Sequence, residues 1–183
     1  MQVKGNILRA RIAFVKERFG EAAWDRVVRT MTPSDQEQLS GVVNVGWYPF
    51  DLGRRLDDAI VGIVGGGRTT VFEEMGRASA RENLTSVHSS FLEPRDPAVF
   101  MQKAAMIYRF YYDTGRRTWE ATGPSSGMLT TYDADTHSVA DCATVVGWYK
   151  EALAMLGARD VVIVEEACRA RGNEFCRYVV SWS

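Results

Sequence analysis

The chain has 183 residues, of which 46% are hydrophobic and 25% are charged, as is ordinary for a globular domain. Its 22 basic and 23 acidic residues leave a net charge of −1, so the charge balance indicates neither nucleic acid nor an acidic membrane surface as a partner. No apolar run approaches the ~18 residues of a membrane span, and the first residues lead into no signal-peptide segment. We therefore expect one cytoplasmic domain, residues 1–183.

Helical periodicity dominates the first half of the chain. Apolar residues recur at three- and four-residue spacing, which is typical of amphipathic helices. The stripes comprise Leu8, Ile12, Val15 and Phe19, then Trp24, Val27, Val28 and Met31, and later Leu52, Leu56, Ile60 and Ile63. Thr32, followed by Pro33 and Asp35, predicts a further helix start, and Thr70 with Glu73 fits a capping box.

Asp96 and Pro97 begin the clearest helix of this half, which we expect to run as far as Gly115. The helix is rich in aromatic residues, which either fill a core or line a pocket for an apolar or aromatic ligand. The candidate pocket residues are Phe100, Tyr108, Tyr111, Trp119 and Tyr132.

The second half changes period. Apolar and polar residues alternate around Trp119 and again around Tyr132, and a glycine- and serine-rich turn lies between the two runs. This pattern predicts a hairpin. Ser138 and Asp141 begin a helix that Gly157 ends, and two β-rich runs around Gly172 predict a second hairpin. The expected fold class is α+β, an N-terminal helical subdomain followed by a hairpin, a helix and a hairpin that form an antiparallel sheet.

The three cysteines carry the strongest chemical signal, in the pattern Cys142-x22-Glu165-x2-Cys168-x7-Cys176. A hairpin centred on Gly172 sets Cys168 opposite Cys176, and facing residues have Cβ atoms ~4.5–5.5 Å apart. The helix that starts at Ser138 is long enough to bring Cys142 level with them. Three thiolates and one carboxylate suit tetrahedral zinc, and a closed site of this kind is structural.

The identity of the fourth ligand is open at this point. In a regular strand Glu166 shares a face with Cys168, so Glu165 needs a β-bulge to turn inward. The spacing is also compatible with cysteines that are small buried hydrophobes, or with a cross-strand disulfide between Cys168 and Cys176.

The ending from Cys168 to Cys176, followed by Arg-Tyr-Val-Val, resembles the end of the vinyl-reductase-type (4-vinyl reductase) domain. This domain occurs in the sensor regions of phenol-responsive bacterial activators and in small stand-alone proteins. The resemblance implies structural zinc held by Cys142, Glu165, Cys168 and Cys176, and it favours Glu165 over Glu166. Five tryptophans and seven tyrosines in a small domain predict a homodimer, and the dimeric habit of the related sensors favours it.

The N-terminal half resembles the haem-nitric-oxide-binding domains, on Arg18 to Trp24 and on Tyr48-Pro49. That family holds haem with a Tyr-x-Ser-x-Arg motif and an axial histidine about 30 residues earlier. Here the nearest candidate, Tyr132 to Thr136, lacks the serine and the arginine, and His88 lies too early. His137 is expected in a loop. We therefore do not expect haem.

Two classes of function follow. The first is a non-enzymatic sensor or small-molecule-binding regulatory module with an apolar pocket and structural zinc. The second is a protein-interaction scaffold that keeps the fold with a filled core and no ligand. No nucleophile–base pair indicates an enzyme, so we predict no catalytic residues. Either class acts through a protein partner, since no output domain is seen; an apolar cavity above ~300 Å³ favours the sensor.

Overall fold

The computed structural model describes residues 1–86, 88–135 and 138–183. Within these residues six strands and eight α-helices follow one another along the chain. Their bounds are β1 (Gln2–Lys4), α1 (Gly5–Phe19), α2 (Glu21–Arg29), α3 (Pro33–Ser40), β2 (Trp47–Pro49), α4 (Phe50–Ile63), α5 (Val71–Thr85), α6 (Pro97–Gln102), α7 (Ala104–Tyr111), β3 (Arg116–Gly123), β4 (Ser126–Tyr132), α8 (Val139–Met155), β5 (Val162–Ala167) and β6 (Cys176–Ser181).

The main sheet is antiparallel and has the order β3-β4-β6-β5, so the two hairpins meet through β4 and β6. A short second sheet pairs β1 with β2. The predicted α+β class is therefore confirmed, with helices first and then hairpin, helix and hairpin.

Three of the predicted helix starts have the expected capping hydrogen bonds. The hydroxyl of Thr32 accepts from the backbone N–H of Asp35, and that of Ser138 from Asp141. The Asp96 carboxylate accepts from the second and third residues after it. A side-chain oxygen at these positions satisfies N–H groups that have no partner within the helix. Thr70 precedes α5, but its side chain makes no capping hydrogen bond, so the prediction of a capping box at Thr70 and Glu73 was wrong.

The helix expected from Asp96 to Gly115 is instead two helices, and the second ends early. The chain turns at Lys103, whose Nζ donates to the carbonyl oxygens of Phe91 and Glu93. Helix α7 stops at Tyr111 because Tyr112 is extended and bridges to Val3 of strand β1. The N-terminal strand, which has too few residues to show a period, thus ends this helix.

The apolar interior has two parts that meet at α5 and α8. One lies among α1 to α5, and the other lies between α7, α8 and the sheet. Helices α5 and α8 cross at two glycines: a Cβ on Gly76 would lie 2.1 Å from the carbonyl oxygen of Thr144, and one on Gly147 would lie 2.0 Å from that of Glu73. Only glycine permits backbones to approach this closely.

Among the helices described here, none has the length and hydrophobicity that a membrane crossing requires.

Candidate functional site

Three buried cysteine side chains converge where α8 begins and the second hairpin turns. Cys142 lies in the first turn of α8, Cys168 follows β5, and Cys176 begins β6. The Sγ of Cys142 lies 3.5 Å from that of Cys168 and 3.8 Å from that of Cys176. The three sulfurs all lie within 4.8 Å of one another.

These separations match a metal centre better than a disulfide. A disulfide requires ~2.05 Å between sulfurs, and all three cysteines are free. Zinc–sulfur bonds of ~2.3 Å in a tetrahedron place sulfurs about 3.8 Å apart. The triad therefore has the spacing of three thiolates around one zinc ion.

Strand β5 is irregular at the residue that decides the fourth ligand. Its register with β6 shifts between Glu165 and Ala167. The irregularity leaves the side chain of Glu165 13% exposed and that of Glu166 55% exposed. Glu165 Oε2 pairs with Arg171 at 2.7 Å, whereas Oε1 is buried without a hydrogen-bond partner. Glu165 is thus the inward acid of the two.

Hydrogen bonds polarise the triad. A hydrogen bond from the Cys142 thiol lowers the pKa of Cys168. Hydrogen bonds from the Cys142 thiol and from the backbone N–H of Arg169 lower the pKa of Cys176 to about 6. The pKa of Cys142 is raised in return. Thiolate is the form that binds metal, so the surroundings favour ligand chemistry at two of the three sulfurs.

A buried charge network, which the sequence analysis did not single out, joins the helical half to α8. Arg11 of α1 donates to both oxygens of Asp57 of α4, at 2.6 and 3.0 Å, and reaches Asp141 of α8 at 3.5 Å. The hydroxyl of Tyr112 lies 3.0 Å from each oxygen of Asp141. Burial opposes the charge on Arg11, but the carboxylates raise its pKa above the ordinary value. The sequence did contain a signal for this network, because Arg11 is a charged residue on the apolar face of the first predicted helix, where a charge needs a partner.

A cavity of about 50 Å³ lies between α1, α5, α7 and α8. Its apolar wall comprises Ile7, Ala10, Met75, Ile107, Val145 and Trp148. Its polar wall comprises Arg11, Ser79, Tyr111, Tyr112, Arg117, Asp141, Thr144 and Tyr149. Wider grooves of about 500 and 440 Å³ run along α1 to α3 and between α7 and β3. The basic side chains among their lining residues are exposed or half-buried, except that of Arg117, which is buried.

The five predicted pocket residues lie in different places. Tyr111 lines the cavity, and Tyr108 lines a smaller space beside Cys142. Phe100 is fully buried against Trp148 and Tyr149, behind the cavity wall. Trp119 packs against Trp182, and Tyr132 packs against Phe175, both on the sheet.

His88 lies close to the cavity without lining it. Its ring stacks on Phe91 and meets the edge of Tyr111, and partial burial lowers its pKa. Tyr111 thus separates the imidazole from the cavity. His137, expected in a loop, lies outside the described residues.

Solved structures of H-NOX proteins are similar to this chain along nearly all of its length. An S. oneidensis H-NOX protein in the Fe(II)NO ligation state has a TM-score of 0.76 at 14% identity, covering 98% of this chain and 99% of its own. A variant of the K. algicida protein, Fe(II) and unliganded, has 0.75 at 11%, covering 98% and 96%. A T. tengcongensis variant has 0.74 at 12%, covering 98% and 97%.

The chain therefore has the H-NOX fold. No family model matches the sequence, and no curated protein matches it. The similarity is thus one of structure, and the 4-vinyl reductase resemblance has no support from these comparisons.

The same comparisons contradict our prediction about haem. We did not expect haem because a histidine and a Tyr-x-Ser-x-Arg motif are missing, yet the chain shares the fold of proteins described with Fe(II) and, in one case, with heme. The missing motifs were an insufficient basis for that prediction, because at 10–14% sequence identity a fold persists while the residues at individual positions change.

The residues of this chain, as they are placed, do not fit a group as large as haem. Sites for ligands of drug size measure ~300–1,000 Å³, against about 50 Å³ in this cavity. The rings of Tyr111, Trp148 and Tyr149 line the space. Haem would enter this cavity only if these rings moved.

Proposed function

We propose that this chain is a non-enzymatic sensor module that binds a small molecule between its helices and holds structural zinc at its cysteine triad. The fold supports a sensor, because the similarity to H-NOX proteins covers 98% of the chain. The position of the cavity supports it further. The cavity lies where α1 and α5 face α7 and α8, so a ligand there contacts both parts of the interior.

The observation that carries the zinc proposal is the convergence of three sulfurs within 4.8 Å of one another, with the unpartnered Oε1 of Glu165 on the strand that leads to Cys168. Buried side-chain oxygens normally have a partner, and Glu165 Oε1 has none among the described residues. A zinc ion held by Cys142, Cys168, Cys176 and Glu165 would supply that partner. It would fasten the start of α8 to the hairpin and contribute folding free energy.

Zinc content of purified variants tests this proposal. We expect about one equivalent in the wild type, and loss of the metal with a lower melting temperature in Cys168→Ser. Glu165→Gln should bind zinc more weakly, whereas the matched variant Glu166→Gln should bind it as the wild type does, because Glu166 points outward. Equal affinities for the two glutamine variants would refute the role of Glu165. A wild type that does not retain zinc after metal loading would refute the site.

A protein-interaction scaffold is the second candidate, and the size of the cavity favours it. About 50 Å³ lies well below the ~300 Å³ expected of a pocket for a large ligand. Native mass spectrometry separates the two candidates. A small molecule retained beside zinc supports the sensor, and a metal-bound chain that neither retains nor takes up a small molecule supports the scaffold.

We also propose one domain over residues 1–183, a cytoplasmic location and signalling through a protein partner. The interior supports one domain, because the two apolar parts meet at the crossing of α5 and α8. The resemblance of the ending to the vinyl-reductase-type domain stays a proposal, which rests on the spacing of Cys142, Glu165, Cys168 and Cys176 in the sequence.

A further inference from the structure

Arg117 is a buried guanidinium for which the described residues supply no partner carboxylate. Its residue is 7% exposed, and no described carboxylate lies within 4 Å of its nitrogens. Its Nε donates to Thr131 Oγ1 at 2.9 Å, and the rings of Tyr108 and Tyr149 lie 4.8 and 5.7 Å from the guanidinium. Arg117 also lines the open groove between α7 and β3. Arginine in protein interiors is normally paired, because an unpaired charge is costly to bury.

The other charges near the cavity already have partners. Arg11 is bonded to Asp57 through two nitrogens. Asp141, the acid that lines the described cavity, is held by Arg11 and Tyr112. Arg117 therefore contributes a positive charge to the cavity wall that no direct ion pair satisfies.

Two tyrosine hydroxyls in the wall also lack a hydrogen-bond partner among the described residues. Those of Tyr111 and Tyr149 are buried without one, and both residues line the same cavity as Arg117. A water molecule needs ~10–15 Å³ of such space, so about 50 Å³ has room for roughly three to five heavy atoms. The opposite wall is apolar, with Ile107, Val145 and Trp148 among its residues.

We infer that the cavity binds a small organic anion, a carboxylate with a short apolar tail, whose charged group faces Arg117. Guanidinium binds carboxylate through two parallel hydrogen bonds, and Nε of Arg117 is already used, which leaves its terminal nitrogens for the anion. The Tyr111 hydroxyl is a further donor, and the tail lies against the apolar wall. This inference rests on the proposed function, since it names the class of ligand for that cavity.

Compensation of the metal centre is the competing role for Arg117, because a small space beside the triad is lined by Arg117, Cys142 and Cys176. Three thiolates and a carboxylate around one divalent ion leave two negative charges, of which Arg171 offsets one at Glu165. The test therefore uses zinc-loaded protein and measures zinc alongside anion binding.

Propionate and its neutral isostere propionamide provide the test. Each is titrated to roughly 20 mM at constant ionic strength, a range that reaches the millimolar dissociation constants expected of so small a ligand. Binding is followed through the backbone and indole N–H resonances of Trp148. We expect propionate to bind the wild type about tenfold more tightly than propionamide, as a charge-assisted hydrogen bond provides. Arg117→Gln should abolish that preference, and Arg116→Gln, a change at the exposed neighbour, should preserve it.

Equal binding of the two ligands by the wild type would overturn the inference while leaving a small-molecule site in place. Binding of neither would overturn it as well, and zinc content and native mass spectrometry would then decide the proposed function independently. Should Arg117→Gln lose its fold or its zinc, Arg117→Lys keeps the charge but not the planar fork. A preference for propionate weaker than that of the wild type supports the inference, and a preference equal to that of the wild type refutes it.

Discussion

Helices α5 and α8 approach so closely at Gly147 that one added methyl group should drive them apart. A Cβ at this position would lie 2.0 Å from the carbonyl oxygen of Glu73 and 2.8 Å from its carbon, whereas ordinary contacts begin at 3.4 Å. The backbones would have to separate by about 1.4 Å to restore that distance. Overpacking of this kind costs ~1–3 kcal/mol, which exceeds the ~1 kcal/mol that alanine gains over glycine in a helix.

The clash is with backbone atoms, so we take the upper end of the overpacking range, ~3 kcal/mol, and subtract the ~1 kcal/mol of helix propensity gained. We therefore expect Gly147→Ala to lower the free energy of unfolding by about 2 kcal/mol. In a chain of this length each kcal/mol shifts the melting temperature by ~2–4 °C, so the fall should be roughly 4–8 °C by circular dichroism. Gly62→Ala is the matched control, because it lies in α4 with open space around it, and it should be neutral or stabilising. A Gly147→Ala protein as stable as the wild type would refute the argument, since the crossing would then yield at no cost.

Three further predictions concern buried charge, pH and assembly. Asp57→Asn leaves Arg11 buried without its main partner, so it should lower the free energy of unfolding, measured in urea, by about 3 kcal/mol. The control Asp58→Asn changes an exposed ion pair and should alter that free energy by no more than about 0.5 kcal/mol. Similar losses in the two variants would contradict the role of burial. Hydrogen bonds from Arg55 lower the pKa of Asp35, so its carboxylate should stabilise the fold above the ordinary pKa of ~3.9 and lose that effect as pH falls through the lowered folded-state value. The difference in stability between the wild type and Asp35→Asn should therefore vanish at the acid end of a pH series, and a constant difference would be the contrary result. We also expect a homodimer, and light scattering that shows a monomer at roughly 100 μM would exclude it.

Local chemistry made much of the fold predictable. Thr32, Asp96 and Ser138 begin helices because their side chains satisfy backbone N–H groups a few residues away. The position of Gly172 likewise indicated the last turn, where its backbone has a φ of 90°. Signals of this kind depend on only a few neighbouring residues, so a single sequence suffices to show them.

The cavity and its charge are different in kind, because residues far apart in sequence create them. Arg117 follows the alternation of a strand, and nothing in its neighbours shows that no acid comes to meet it. The inward turn of Glu165 depends on how β5 pairs with β6, which the pattern of one strand does not contain. The strand β1 has only three residues, too few for any period, yet its contact with Tyr112 decides where α7 ends.

Adjacent residues of α8 belong to two different sites, with Asp141 in the buried charge network and Cys142 in the sulfur triad. A rigid helical turn joins them, so a displacement that reaches one of the two is carried to the other. If the cavity and the triad hold the occupants proposed above, thermodynamic linkage makes any coupling between them reciprocal: the factor by which an occupant of the cavity alters metal affinity equals the factor by which the metal alters affinity for that occupant. A domain occupied as we propose would then report on a small molecule and on zinc availability with one and the same conformational equilibrium.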